Sequence, residues 1–154
     1  MPKVTPSQAK NYVARAFRAI ADPHPSTGAL DSLWEHFESR CAYCGTDIIR
    51  APKQAHYDHL VSGGGNRLSN FVLSCPDCNE RKRELDWQTF LRQRCTDDGA
   101  FELRRATVLE WQHYAQQHDA VADPALLERA EACISAVHRV FEQQLSELRS
   151  LKHK

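Results

Sequence analysis

The chain has 154 residues, of which 42% are hydrophobic and 26% charged, and its 20 basic and 20 acidic side chains leave no net charge. This composition argues against wholesale disorder and against a nucleic-acid binder that works through bulk positive charge. No apolar run approaches the roughly 20 residues of a membrane-spanning helix, and Met1 to Pro6 carry no secretory h-region, so a cytoplasmic protein with no membrane partner is expected.

The first 40 residues read as helix, loop, helix. Thr5, Pro6 and Gln8 form a capping-box start with Pro at the first helical position. Val13, Phe17 and Ile20 follow at helical spacing, and Asp22-Pro23-His24-Pro25 ends the helix. Leu30, Leu33, Trp34 and Phe37 form a second apolar stripe. From Cys41 the texture changes. Asp47-Ile48-Ile49 is a short strand candidate, Ala55 to Leu60 alternates as a strand does, and Phe71-Val72-Leu73 is a further candidate. Ser62-Gly63-Gly64-Gly65-Asn66 between them is a loop that needs unusual backbone angles. Cys78 to Leu85 reads as helix, Asp86 caps a segment with Trp87, Phe90 and Leu91, and Phe101 to about Gln117 forms another helix.

Asp123-Pro124 begins the last helix, whose apolar positions run from Leu127 through Ile134 and Phe141 to Leu148. That near-heptad stripe suits a helix packed on its own domain, or one that meets a protein partner or a second copy. Three segments are expected, residues 1–40, 41–85 and 86–154, together making one compact domain.

Six cysteines stand out, and four of them form two Cys-x-x-Cys pairs, Cys41/Cys44 and Cys75/Cys78. A reducing compartment disfavours disulfides, whereas two such knuckles complete a tetrahedral set of four thiolates for structural zinc. Redox CxxC pairs are the alternative reading, and Cys95 and Cys133 read as packing residues. Thirty residues separate the knuckles and carry His56, Asp58, His59, the glycine loop and Asn70. Asn79, Arg81 and Lys82 follow at once.

The string Cys41-x-x-Cys44, Asp58-His59, Gly63-Gly64, Asn70, Cys75-x-x-Cys78-Asn79-x-x-Lys82 resembles the HNH endonucleases, also called ββα-metal or His-Me finger nucleases. The resemblance covers residues 41 to about 84. It implies an α+β, mostly helical fold in which a ββα-metal core with a structural four-cysteine zinc lies between N- and C-terminal helices. By the same resemblance His59 is the general base, and Asp58 and Asn79 hold one catalytic divalent ion, in an H-N-N variant. A carboxylate and an amide oxygen suit the hard cations Mg²⁺ or Mn²⁺. Asn70 has a supporting role, bracing the loop and orienting His59. The implied function is metal-dependent hydrolysis of DNA phosphodiester bonds to 5′-phosphate and 3′-hydroxyl ends.

Arg81, Lys82 and His56 are candidate nucleic-acid contacts, with a solvated helix face and a half-exposed strand histidine as plainer readings. The middle segment, residues 41–95, carries 8 basic and 6 acidic side chains, so DNA binding is expected to depend on local placement and on the metal. The competing function is a non-catalytic zinc-knuckle module that binds nucleic acid or a protein; it would not need Asp58, His59 and Asn79 in this register.

Overall fold

The computed structural model describes residues 4–120 and 123–152. Met1 to Lys3, part of the stretch read for a secretory signal, lie outside the described residues. More than half of the described residues are helical, well above the third or so of an average domain. It divides into two compact units, one built from the first and last helices and the other running from His24 to Ala120.

The first unit pairs α1 (Pro6–Ala21) with α6 (Pro124–Lys152). The capping box at Thr5 is present: its hydroxyl accepts from the Gln8 backbone N–H, and the Gln8 side chain accepts from the Thr5 N–H. Asp123 caps α6 by accepting from the Ala125 N–H at 2.9 Å. Lys10 pairs with Glu142 and Arg18 with Glu131, so the two helices run antiparallel. The buried positions are Ala14, Ala21, Ala130 and Ile134, while Val137 and Leu148 are exposed. Only part of the α6 stripe is therefore buried.

The second unit carries α2 (Thr27–His36), β1 (His56–His59), β2 (Phe71–Ser74), α3 (Pro76–Lys82), α4 (Trp87–Arg94) and α5 (Asp98–Gln116). Helix α2, grouped with α1 on sequence, belongs here. Its stripe of Leu30, Leu33 and Trp34, followed by Phe37, enters the core formed with β2, α4 and α5. The strands pair antiparallel, with His59 opposite Phe71 and Asp58 opposite Val72. Asp47 lies in an isolated bridge with Arg40 rather than in a strand. The first knuckle adds to the ribbon, since the Ala42 N–H donates to the Leu73 carbonyl at 2.8 Å.

Helix α5 holds β2 from the far side. The Trp111 Nε1–H donates to the Phe71 carbonyl at 2.7 Å, and the indole is fully buried. Trp111→Phe removes that donor and leaves a void where the larger ring was. The expected loss is about 2–4 kcal/mol of unfolding free energy, which denaturant titration reads directly. A loss under about 1 kcal/mol would mean that this bond contributes little.

Candidate active site and sulfur cluster

The knuckles converge as their spacing predicts. The sulfurs of Cys41, Cys44, Cys75 and Cys78 lie within 4.8 Å of one another, and those of Cys44 and Cys75 are 3.8 Å apart. Four thiolates at zinc–sulfur distance around one tetrahedral ion would have edges of about 3.8 Å. Burial first, and then the charge of the neighbouring Cys41 and Cys44, push the Cys75 thiol up to about 11, whereas hydrogen bonds with Cys41 and Cys78 pull the Cys44 thiol down. The Arg94 guanidinium of α4 lies against Cys78 and Cys44 and pairs with Asp77 at 2.9 Å, and its buried Nε has no hydrogen-bond partner among the described residues. A cation so placed suits a neighbour with surplus negative charge, which four thiolates around a divalent ion supply. The cluster fits a metal ion.

Side chains alternate along β1, so Tyr57 and His59 share one face with Phe71 and Leu73, and His56 and Asp58 share the other. Helix α3 packs against β1 on the Asp58 face. Cys75, Cys78, Asn79 and Lys82 recur at i, i+3, i+4 and i+7, so one stripe of α3 carries sulfur ligands and site residues together.

Asp58 is buried and held from two sides. Its Oδ2 accepts from the Tyr43 hydroxyl at 2.7 Å and lies 3.5 Å from the Lys82 ammonium. Burial pushes the Asp58 carboxyl up from its ordinary value, while Tyr43 and Lys82 pull it down. Burial first, and then the Asp58 charge, hold the Tyr43 phenol well above its usual range, so it stays a hydrogen donor.

Lys82 is fully buried, and its Nζ donates to the His59 carbonyl at 2.6 Å. The structure corrects its reading as a phosphate contact, because an ammonium sealed between α3 and β1 reaches no phosphate. Arg81 is exposed but pairs with Asp77 at 2.7 Å, four residues earlier on the same helix. His56 is half-buried on the Asp58 face. Asn79 is half-buried one turn before Lys82, and its side chain makes no hydrogen bond among the described residues.

His59 ends β1. Its ring rests on Phe71, with centroids 4.2 Å apart, and its Nε2 is 3.2 Å from the Asn66 Oδ1. An amide oxygen only accepts, so this contact is a hydrogen bond in the tautomer that carries its proton on Nε2, which leaves the Nδ1 lone pair free. His24, from the segment before α2, also lies against Phe71, at 4.9 Å.

Asn70 makes no hydrogen bond to the His59 ring among the described residues. Its Oδ1 accepts from the Val61 N–H at 2.9 Å, and its Nδ2 donates to the carbonyls of Val61 at 3.1 Å and Gly65 at 3.0 Å. Asn70 thus clamps the loop that carries Asn66. The glycines fit this clamp: Gly63 and Gly65 have φ of +73° and +83°, and a Cβ on Gly64 would come within 2.9 Å of the Asn70 amide. Asn70→Ala removes all three bonds and should cost about 2–4 kcal/mol, with faster hydrogen exchange confined to residues 61–66. Unchanged exchange there would show that the loop does not depend on this side chain.

Residues 41–84 match the model of the HNH endonuclease family. This segment is similar to an HNH core. The match spans both knuckles and takes in Asp58, His59, Asn70 and Asn79. The chain is also 25% identical over 95 residues to the SPbeta prophage protein YoqL of Bacillus subtilis (strain 168), whose name assigns it to the HNH endonucleases. That similarity covers 53% of this chain and 41% of YoqL, so the chain spans less than half the length of that relative. No solved structure gives a match. Among the described residues, no helix is long and apolar enough to cross a membrane.

Sequence reasoning passes over Tyr43 and Asn66. Tyr43 lies inside the first cysteine knuckle, and a large polar ring between two metal-ligand positions is the available signal. Asn66 directly follows the glycines and has no periodicity to mark it.

Proposed function

We propose that this protein is a metal-dependent endonuclease that hydrolyses DNA phosphodiester bonds, leaving 5′-phosphate and 3′-hydroxyl ends. The observation that carries the reading is the end of β1. There, an HNH core presents the His59 ring on one face of a two-stranded ribbon and the Asp58 carboxylate on the other, beneath the α3 stripe that bears Asn79. A phosphate lying across the strand end is within reach of both faces.

In this reading Cys41, Cys44, Cys75 and Cys78 hold a structural zinc. Asp58 and Asn79 hold a single divalent ion, Mg²⁺ or Mn²⁺, and their donor set suits it: one carboxylate and one amide oxygen. When bound, that ion polarises the scissile phosphate and stabilises charge on the leaving oxygen. His59 does the proton chemistry. Asn66 holds the proton on Nε2, and Nδ1 takes the proton from the attacking water. Phe71 fixes the plane of the imidazole, and Asn70 keeps the loop, and with it Asn66, in place. Arg81 and His56 remain the candidate phosphate contacts.

The test is plasmid nicking by the full chain with Mg²⁺ or Mn²⁺, beside His59→Ala and with excess chelator. Metal-dependent nicking that His59→Ala abolishes supports the reading. DNA binding without nicking by folded, zinc-loaded protein supports a zinc-knuckle binding module instead.

A further inference from the structure

We propose that Tyr43 and Lys82 are positioning residues for the catalytic divalent ion: they commit Oδ2 of Asp58 to the protein and leave Oδ1 as the oxygen offered to the metal. The inference rests on the nuclease reading above.

A carboxylate has two oxygens and can turn about its bond to the chain, so a lone aspartate offers metal either oxygen in many orientations. Here one oxygen is taken. Oδ2 accepts from the Tyr43 hydroxyl at 2.7 Å and faces the Lys82 ammonium at 3.5 Å. Oδ1 accepts no hydrogen bond among the described residues, and it is not among the side-chain atoms sealed from solvent without a partner. It is the open oxygen of an otherwise buried group.

The two holders are themselves fixed. Tyr43 is fully buried between two sulfur ligands in sequence, with its ring edge-on to Phe90 of α4 at 5.1 Å. Lys82, also fully buried, donates to the His59 carbonyl at 2.6 Å and so ties the base residue and the metal carboxylate to one ammonium. It stands on α3 one turn from Asn79, so it also sets the spacing between the strand that bears Asp58 and the helix that bears the second ligand. One hydrogen bond, from Tyr43 to Asp58, links the structural knuckle to the catalytic site. Metal-holding groups commonly depend on such outer partners, whose loss lowers metal affinity about 10–100-fold.

The experiment titrates Mn²⁺ calorimetrically into the full, zinc-loaded chain, for the parent, Tyr43→Phe and Lys82→Met. Zinc content and DNA cleavage against Mn²⁺ concentration are measured on the same samples. Tyr43→Phe should keep one zinc, bind Mn²⁺ about 10-fold more weakly, and regain most of the parent cleavage rate at saturating Mn²⁺. Lys82→Met should weaken Mn²⁺ binding at least as much. If it does not fold, Tyr43→Phe decides alone. Parent-like Mn²⁺ affinity in zinc-loaded Tyr43→Phe overturns the proposal, and so does loss of zinc from that variant, which would make Tyr43 purely structural. A parent that binds Mn²⁺ and cuts DNA while the variants match it leaves the nuclease reading intact and removes only this inference. A parent that does neither removes both.

Discussion

His59→Ala is expected to lower DNA cleavage by roughly 10²–10⁴-fold, the usual range for losing a general base, with zinc content and helicity unchanged. The imidazole is not a sulfur ligand, and its side-chain contacts are the Phe71 ring and Asn66, so its removal leaves the buried Asp58 cluster intact. The two metal-holding residues should behave differently. Asn79→Ala and Asp58→Asn should also lose cleavage, through weaker metal binding, and raised Mg²⁺ or Mn²⁺ should partly restore it. No metal concentration should restore His59→Ala, because no other group replaces the proton acceptor.

The choice of Asp58→Asn over Asp58→Ala follows from Lys82. Truncation would strand a fully buried ammonium next to a hole, and removing one partner of a buried pair costs about 3–5 kcal/mol. An inactive Asp58→Ala would then report unfolding; Asn also removes the counter-charge of Lys82, but it fills the hole and keeps an acceptor for Tyr43. Parent-like cleavage by folded His59→Ala would sink the nuclease assignment.

Metal removal is the second large effect expected. Carefully reduced protein should carry one equivalent of zinc, and a strong chelator should unfold the unit running from His24 to Ala120. Structural zinc contributes about 10–16 kcal/mol of apparent binding free energy in zinc-finger peptides, as much as the roughly 5–15 kcal/mol that stabilises a whole domain. Here the four ligands staple the knuckle beside β2 to the start of α3, and Ala42 and Tyr43 inside the knuckle are core residues. Without the ion, the four sulfurs share a space in which a second thiolate would repel the first, so they cannot all ionise. Cys78→Ser should act like the chelator, because its sulfur is fully buried and shares the α3 stripe with Asn79 and Lys82. Thermal unfolding with and without chelator reads the effect. Less than about half an equivalent of zinc, or a melting temperature that chelation leaves unchanged, would count decisively against a structural zinc.

Much of the molecule is legible as local chemistry. The capping box at Thr5 and the caps at Asp86 and Asp123 all act within four residues of themselves. Short-range hydrogen bonds decide them, and tertiary packing leaves them where the sequence puts them. The sulfur cluster is legible for a similar reason: two-residue spacing lets both thiolates of a knuckle reach one ion whatever surrounds them, and two knuckles need only one meeting point. The β1 alternation from His56 to His59 carries the face assignment of Asp58, because a strand has period two.

What the sequence could not determine depends on which surfaces meet. Lys82 looks like any basic residue on a short helix, and only the packing of α3 on β1 turns it inward, onto the Asp58 carboxylate and the His59 carbonyl. Tyr43 reaches Asp58 across 15 residues because the knuckle folds back against β2, which no periodicity announces. Asn70 and Asn66 are indistinguishable as loop amides until the chain folds. The turn through Gly63 and Gly65 brings the first onto the loop backbone and the second onto the imidazole. The α6 stripe runs over several turns in the sequence, yet only Ala130 and Ile134 of it are buried, while Leu127 and Phe141 are half-buried and Val137 and Leu148 exposed. Residue type and spacing determined the ligands, the caps and the candidate base. Tertiary structure decided which charges are buried, because burial belongs to pairs of surfaces that the chain brings together only when it folds.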